Sequence, residues 1–116
     1  MSKKSLLGTF EEQVLLAVWH AAEGAYGMRI RRQIEDRTGR SVAIGAVYAT
    51  LDRLQAKGFL SSWLADADTV RRGRPRRYFR LEAAGTEALE QTRDAHARMW
   101  RGVELDPRAG KPSWTA

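Results

Sequence analysis

The 116-residue chain has no cysteine. That excludes disulfides, thiolate metal sites and thiol nucleophiles, and it fits a reducing compartment. Long apolar runs are missing too. The longest, Val14 to Trp19, is far too short to span a bilayer, so no membrane partner is expected. The basic start Met1-Ser2-Lys3-Lys4 is soon followed by Glu11-Glu12, with no signal-peptide core or small-residue cleavage site. A cytoplasmic protein is therefore expected. Histidine occurs only as His20 and His96, without a ligand-spaced partner, so no metal site is expected. There is no phosphate-cradling glycine loop and no nucleophile elbow. Glu11 and Glu12 are adjacent and point to different parts of a helix surface, so they form no catalytic pair. Neither a cofactor nor an enzymatic activity is expected.

Acid is absent from one stretch. Residues 71–80 read RRGRPRRYFR, six arginines with no Asp or Glu. The whole chain carries 20 Lys+Arg against 14 Asp+Glu, so everything outside this stretch is neutral. A neutral body with one dense arginine segment suggests a local polyanion contact. A solvated charged loop is the plainer reading. Arginine without lysine speaks against it, because the planar guanidinium suits phosphates and guanine edges.

The remaining pattern is one domain's worth of short elements. Phe10 to Ala22 lacks Gly and Pro and is apolar on most sides, which predicts a helix buried on more than one face. Thr9 is its expected N-cap, with Glu12 completing a capping box. After the break Gly24-Ala25-Tyr26-Gly27, a second helix is expected over Met28–Thr38, closed by Gly39. Met28, Ile30 and Ile34 form its inner stripe, with Glu35 among the outward residues. A third helix over Ala43–Lys57 carries the core-facing row Val47, Leu51 and Leu54. Phe59–Leu64 and Arg76–Leu81 read as strands of a hairpin around a polar loop. A fourth helix is expected over Ala83–Gly102, with Leu89, Thr92, His96, Met99 and Val103 in a narrow seam like that of a coiled coil.

This order predicts a mainly α fold with a small β-hairpin: a winged helix-turn-helix with a C-terminal dimerisation helix. Residues 1–81 would form the DNA-binding domain, 82–103 a dimerisation helix in the same compact unit, and 104–116 a flexible tail. The third helix would enter the major groove of double-stranded DNA. Its groove-facing residues would be Gly45, Ala46, Ala49, Thr50 and Arg53, with Tyr48 at the edge, either touching a phosphate or simply packing. Asp52, unhelpful near phosphates, is expected to pair with an arginine of the same chain. The wing would add Arg71, Arg72, Arg74, Arg76 and Arg77. A homodimer is expected, its interface drawn from Phe10, Val14 and Val18 of the first helix and the seam of the last. Two-fold symmetry then predicts a palindromic operator with half-sites about 34–36 Å apart, or a multiple of that. The alternative is a winged-helix protein-interaction module without its own DNA site. Its partner contact would depend on apolar burial, whereas phosphate contacts weaken steeply with salt.

A set of local matches is more specific. Leu7-Gly8-Thr9-Phe10-Glu11, Ala25-Tyr26-Gly27, the stretch Gly45 to Leu54 and Lys57-Gly58-Phe59-Leu60 resemble the PadR family of bacterial regulators. Arg74 to Leu81 and Ala84-Gly85 continue the likeness, which covers residues 6–101. The resemblance implies a winged-helix homodimer, usually a repressor, paired through its first and last helices. It places Tyr48 on the recognition helix and Arg74, Arg76 and Arg77 on the wing. The single C-terminal helix is similar to the short branch of the family. Some members release DNA on binding a small phenolic or drug-like molecule. Trp19 and Trp100 are the candidate pocket for such an aromatic effector; the plainer reading is that they are dimer core.

Overall fold

The computed structural model describes residues 6–65 and 75–109. Its elements are α1 (Thr9–Ala21), a 3-10 turn (Ala22–Gly24), α2 (Gly27–Thr38), α3 (Ile44–Ala56), β1 (Leu60–Leu64), β2 (Arg77–Leu81) and α4 (Ala83–Trp100). The apolar rows foreseen from spacing meet in one core. Val14 and Leu15 of α1, Ile30 of α2, Val47, Leu51 and Leu54 of α3 and Phe79 of β2 are all fully buried. Burying side chains of this size stabilises the fold by about 1.5–3 kcal/mol each.

Local chemistry sets the ends of the elements. α1 starts one residue earlier than expected, with Gly8 rather than Thr9 as N-cap. The Glu11 carboxylate reaches back to accept the Gly8 N–H at 3.2 Å. Glycine has no side chain to return the bond, so only half of a capping box forms. α2 stops at Gly39, whose φ of 74° puts it in the left-handed region that glycine tolerates best. On α2, Ile30 and Ile34 are buried as expected, but Met28 is exposed and Glu35 is half-covered. Its Oε2 accepts the Val42 N–H at 3.0 Å and Arg31 Nε at 3.3 Å. The Val42 amide, helped by Arg31 and opposed by burial, holds this carboxyl below the usual range. The link between α2 and α3 is thereby fastened to α2.

The hairpin is antiparallel, with Leu60 opposite Leu81, Ser62 opposite Phe79 and Leu64 opposite Arg77. It is stitched to the helices by backbone bonds. Phe79 N–H donates to Ala25 O at 2.8 Å, beside an isolated bridge between Tyr26 and Tyr78. Phe59 O accepts the Glu82 N–H at 3.0 Å, which fixes the entry of α4.

α4 divides into two halves. Ala88 and Thr92 are buried against the chain's own core, while Met99 and Trp100 are exposed. Thr92 is the pin: its Oγ1 accepts the buried Leu7 N–H at 3.1 Å. Thr92→Val keeps the shape but orphans that amide, at an expected cost of about 1–3 kcal/mol in chemical denaturation. An unchanged unfolding midpoint would show that the amide finds another acceptor. No helix among the described residues is long and apolar enough to cross a membrane.

Candidate nucleic-acid interface

The outward face of α3 is small and open. Gly45, Ala46 and Ala49 are exposed, and a methyl group built on Gly45 would meet nothing within 4 Å. Tyr48 borders this face. Its ring lies over Gly27 so closely that a Cβ at residue 27 would collide with the phenol. The glycine at the start of α2 is thus what lets Tyr48 lie flat across the helix-turn-helix, half exposed. This is the packing reading of Tyr48.

Two of the residues expected on this face sit differently. Thr50 is only 3% exposed, because α3 turns it toward the core beside Leu51 and Leu54, so it cannot meet a base edge. Arg53 is half exposed but engaged: its Nε lies 3.3 Å from Glu11 Oε2 and its Nη2 donates to Thr50 Oγ1 at 3.3 Å. Lys57 Nζ reaches the same Glu11 oxygen at 3.0 Å. Burial pushes the Glu11 carboxyl up. Hydrogen bonds from Lys57, the Gly8 amide and Arg53 outweigh this and hold it below the usual carboxylate range. Glu11 thus neutralises part of the charge at the C-terminal end of α3.

The wing arginines also divide. Arg71, Arg72 and Arg74 lie outside the described residues. The Arg76 guanidinium stacks over the Tyr26 ring, 3.9 Å from its centroid. Tyr26 meets Tyr78 edge-on, Tyr78 stacks on Trp63, and Arg80 covers Trp63 in turn. Arg77, expected to face DNA, is bonded across to α3 and β1 instead. Its Nη1 donates to Asp52 Oδ1 at 3.0 Å, its Nη2 to Gln55 Oε1 at 2.7 Å and its Nε to Ser62 Oγ at 3.2 Å. Asp52 does find an arginine, as expected. The roles of Tyr26, Tyr78 and Gln55 were not anticipated. The i, i+3 spacing of Asp52 and Gln55 on α3 was the available signal for Gln55. Nothing in the pattern pointed to the aromatic stack.

The expected pairing surface also changes. Val14, Val18 and Thr92 are buried in the chain's own core and offer nothing to a second subunit. Phe10 and Leu89 are half-buried against that core. His96 Nε2 lies 3.4 Å from Glu12 Oε1. Only Met99 and Val103 of the expected seam are free apolar surface, joined by Trp100, Leu16 and Trp19. Trp19, 65% exposed, borders a cleft of about 610 Å³ with Trp63, Phe79 and Arg80, and a second of about 420 Å³ between α1 and α4. Trp100 lines neither of them, because it stands beyond the packed half of α4.

The model of the PadR-like family of transcriptional regulators matches residues 15–91. The chain belongs to that family. The match runs from α1 through both strands into α4, so it covers the helix-turn-helix and the wing described above. Solved structures share the fold. A PadR-like transcription factor from Bacteroides fragilis is 23% identical, with a TM-score of 0.68 over 81% of this chain and 85% of that one. A PadR-like regulator from Bacillus cereus is 21% identical, with a TM-score of 0.66 over 81% and 86%. A PadR family regulator from Clostridium difficile is 21% identical, with a TM-score of 0.61 over 79% and 91%. No curated protein sequence matches significantly. Four helices and an antiparallel hairpin in this order make the PadR winged helix, and the chain is a transcriptional regulator of that fold.

Proposed function

We infer that this PadR-family chain represses transcription by binding a palindromic operator as a homodimer, in the cytoplasm and without catalysing a reaction. The open face of Gly45, Ala46 and Ala49, bordered by Tyr48, carries the reading. Small side chains let a helix approach base edges closely, and alanine methyls suit thymine methyls. Arg76 and the arginines at 71, 72 and 74 would meet the flanking backbone, and Arg53 a phosphate through what Glu11 leaves free. The strip Leu16, Trp19, Met99, Trp100 and Val103 would pair with a second copy. A flat aromatic effector would enter beside Trp19, near that pairing surface, and change the spacing of the two α3 helices.

The test is fluorescence anisotropy with duplex DNA from upstream of the chain's own gene against a scrambled duplex, over a salt series. Preference for the upstream duplex, falling by about 10³-fold or more between 50 and 200 mM salt, is expected for a dimer making several phosphate contacts. Equal, salt-insensitive binding to both duplexes, or none, would sink the reading in favour of a protein-interaction module. Light scattering at micromolar concentration checks the dimer, which a monomer mass would refute.

A further inference from the structure

We propose that Arg77 is a positioning residue that buckles the wing to the recognition helix, and that Asp52 and Gln55 are its receptors. The proposal rests on the DNA-binding reading above and assigns Arg77 a different part in it from that of a phosphate contact. Arg77 opens β2. Its three nitrogens are all engaged, by Asp52 and Gln55 on α3 and by Ser62 on β1. Gln55 Oε1 also accepts the Ser62 hydroxyl at 2.9 Å, so the two strands and α3 share one network. The guanidinium carbon lies 4.7 Å from the centre of the buried Phe79 ring, which supports the group from below.

Asp52 and Gln55 are three residues apart and so lie on one side of α3. A planar fork bonded to both cannot rotate without breaking bonds, which a lysine ammonium in its place could do. The buckle therefore sets the angle at which the hairpin leaves α3. A helix in a groove and a wing on the adjoining backbone engage together only when that angle suits the duplex. An acid on the recognition helix is otherwise hard to account for, since a carboxylate near phosphates is repelled. Holding Arg77 gives Asp52 a use.

The two roles predict opposite signs. If Arg77 gripped a phosphate, Asp52 would compete with the DNA for it, and Asp52→Asn would tighten binding. For the buckle, Asp52→Asn weakens operator binding about threefold, although it removes a negative charge from the surface. Arg77→Gln weakens it about tenfold, equivalent to roughly 1.4 kcal/mol. It leaves the slope of log affinity against log salt unchanged, whereas losing one phosphate contact in each subunit of the dimer lowers the slope by about 1.8. Rescue completes the test: Gln55→Glu added to Asp52→Asn returns the charge one helical turn away and restores wild-type affinity. For a phosphate contact the added acid would instead lower affinity from that of the tightened Asp52→Asn variant. Tighter binding by Asp52→Asn, or a lowered slope for Arg77→Gln, overturns the proposal. If the wild type binds no duplex, the DNA reading fails by itself, and the buckle is then judged in the free protein by NMR. Its Arg77 Nη1–H, which donates to Asp52 Oδ1, should exchange with water slowly in the wild type and quickly in Asp52→Asn. Exchange as fast as that of Arg80 in the wild type would overturn it.

Discussion

Replacing Gly85 by alanine is expected to lower stability by about 2–3 kcal/mol, although the substitution lies inside a helix. In an open helix the change would be favourable by up to about 1 kcal/mol, because glycine loses more backbone freedom than alanine. Gly85 is the third residue of α4, and a Cβ there would collide with the Phe59 carbonyl oxygen and press on Leu81 Cδ2 at 3.3 Å. That carbonyl cannot swing away. It already accepts the Glu82 N–H at 3.0 Å, and Phe59 N–H is bonded to Leu54 O at 3.0 Å. The strain would fall on the joint that connects the hairpin to α4. Thermal unfolding followed by circular dichroism should show a fall in Tm of roughly 10 °C or more. Gly45→Ala is the control: its site is open, so the same change there should leave Tm level or raise it. Equal behaviour of the two variants would mean that the close approach at Gly85 has no energetic weight.

Ala46→Glu is expected to separate folding from DNA binding. Ala46 is exposed in the first turn of α3, where a carboxylate interacts favourably with the helix dipole, by about 0.3–1 kcal/mol. Tm should hold or rise slightly. The same carboxylate would meet the negative groove at the closest point of approach, and affinity for the operator should fall by about 100-fold or more. Anisotropy and a melting curve on one sample check both halves. Retained affinity would remove the N-terminal turns of α3 from the interface.

The apolar spacing made most of the fold legible. Val47, Leu51 and Leu54 form a row that only a helix explains, and Phe79 in an alternating run marks the buried face of a strand. Gly39 and Gly58 marked helix ends because the chain needs a positive φ there. What spacing cannot convey is how much of an apolar surface the chain uses itself. Val14, Val18 and Thr92 looked available for pairing only because the depth of α4 packing on α1 was unknown. Thr50 was misassigned for a related reason: on a helix packed on one broad face, a small polar residue beside the core row is covered as well. Charge was harder still. Six arginines within 71–80 announced a basic wing, but composition does not say which of them an acid across the fold has already claimed. Asp52 was recognised as needing an arginine, and Arg77 as a cation. Joining them required the antiparallel register that brings the start of β2 beside α3.

The division of α4 bears on how it is ordered. Its first half is held by the core through Ala88 and Thr92, but Met99 and Trp100 at its end are exposed. A few helical turns without packing are marginal in water, since each hydrogen bond barely offsets the loss of chain freedom. Whatever covers those side chains also settles the backbone beneath them. If a second copy provides that cover, as proposed above, fraying of this helix end and pairing become a single equilibrium, and helicity at the end of α4 then follows concentration as much as sequence.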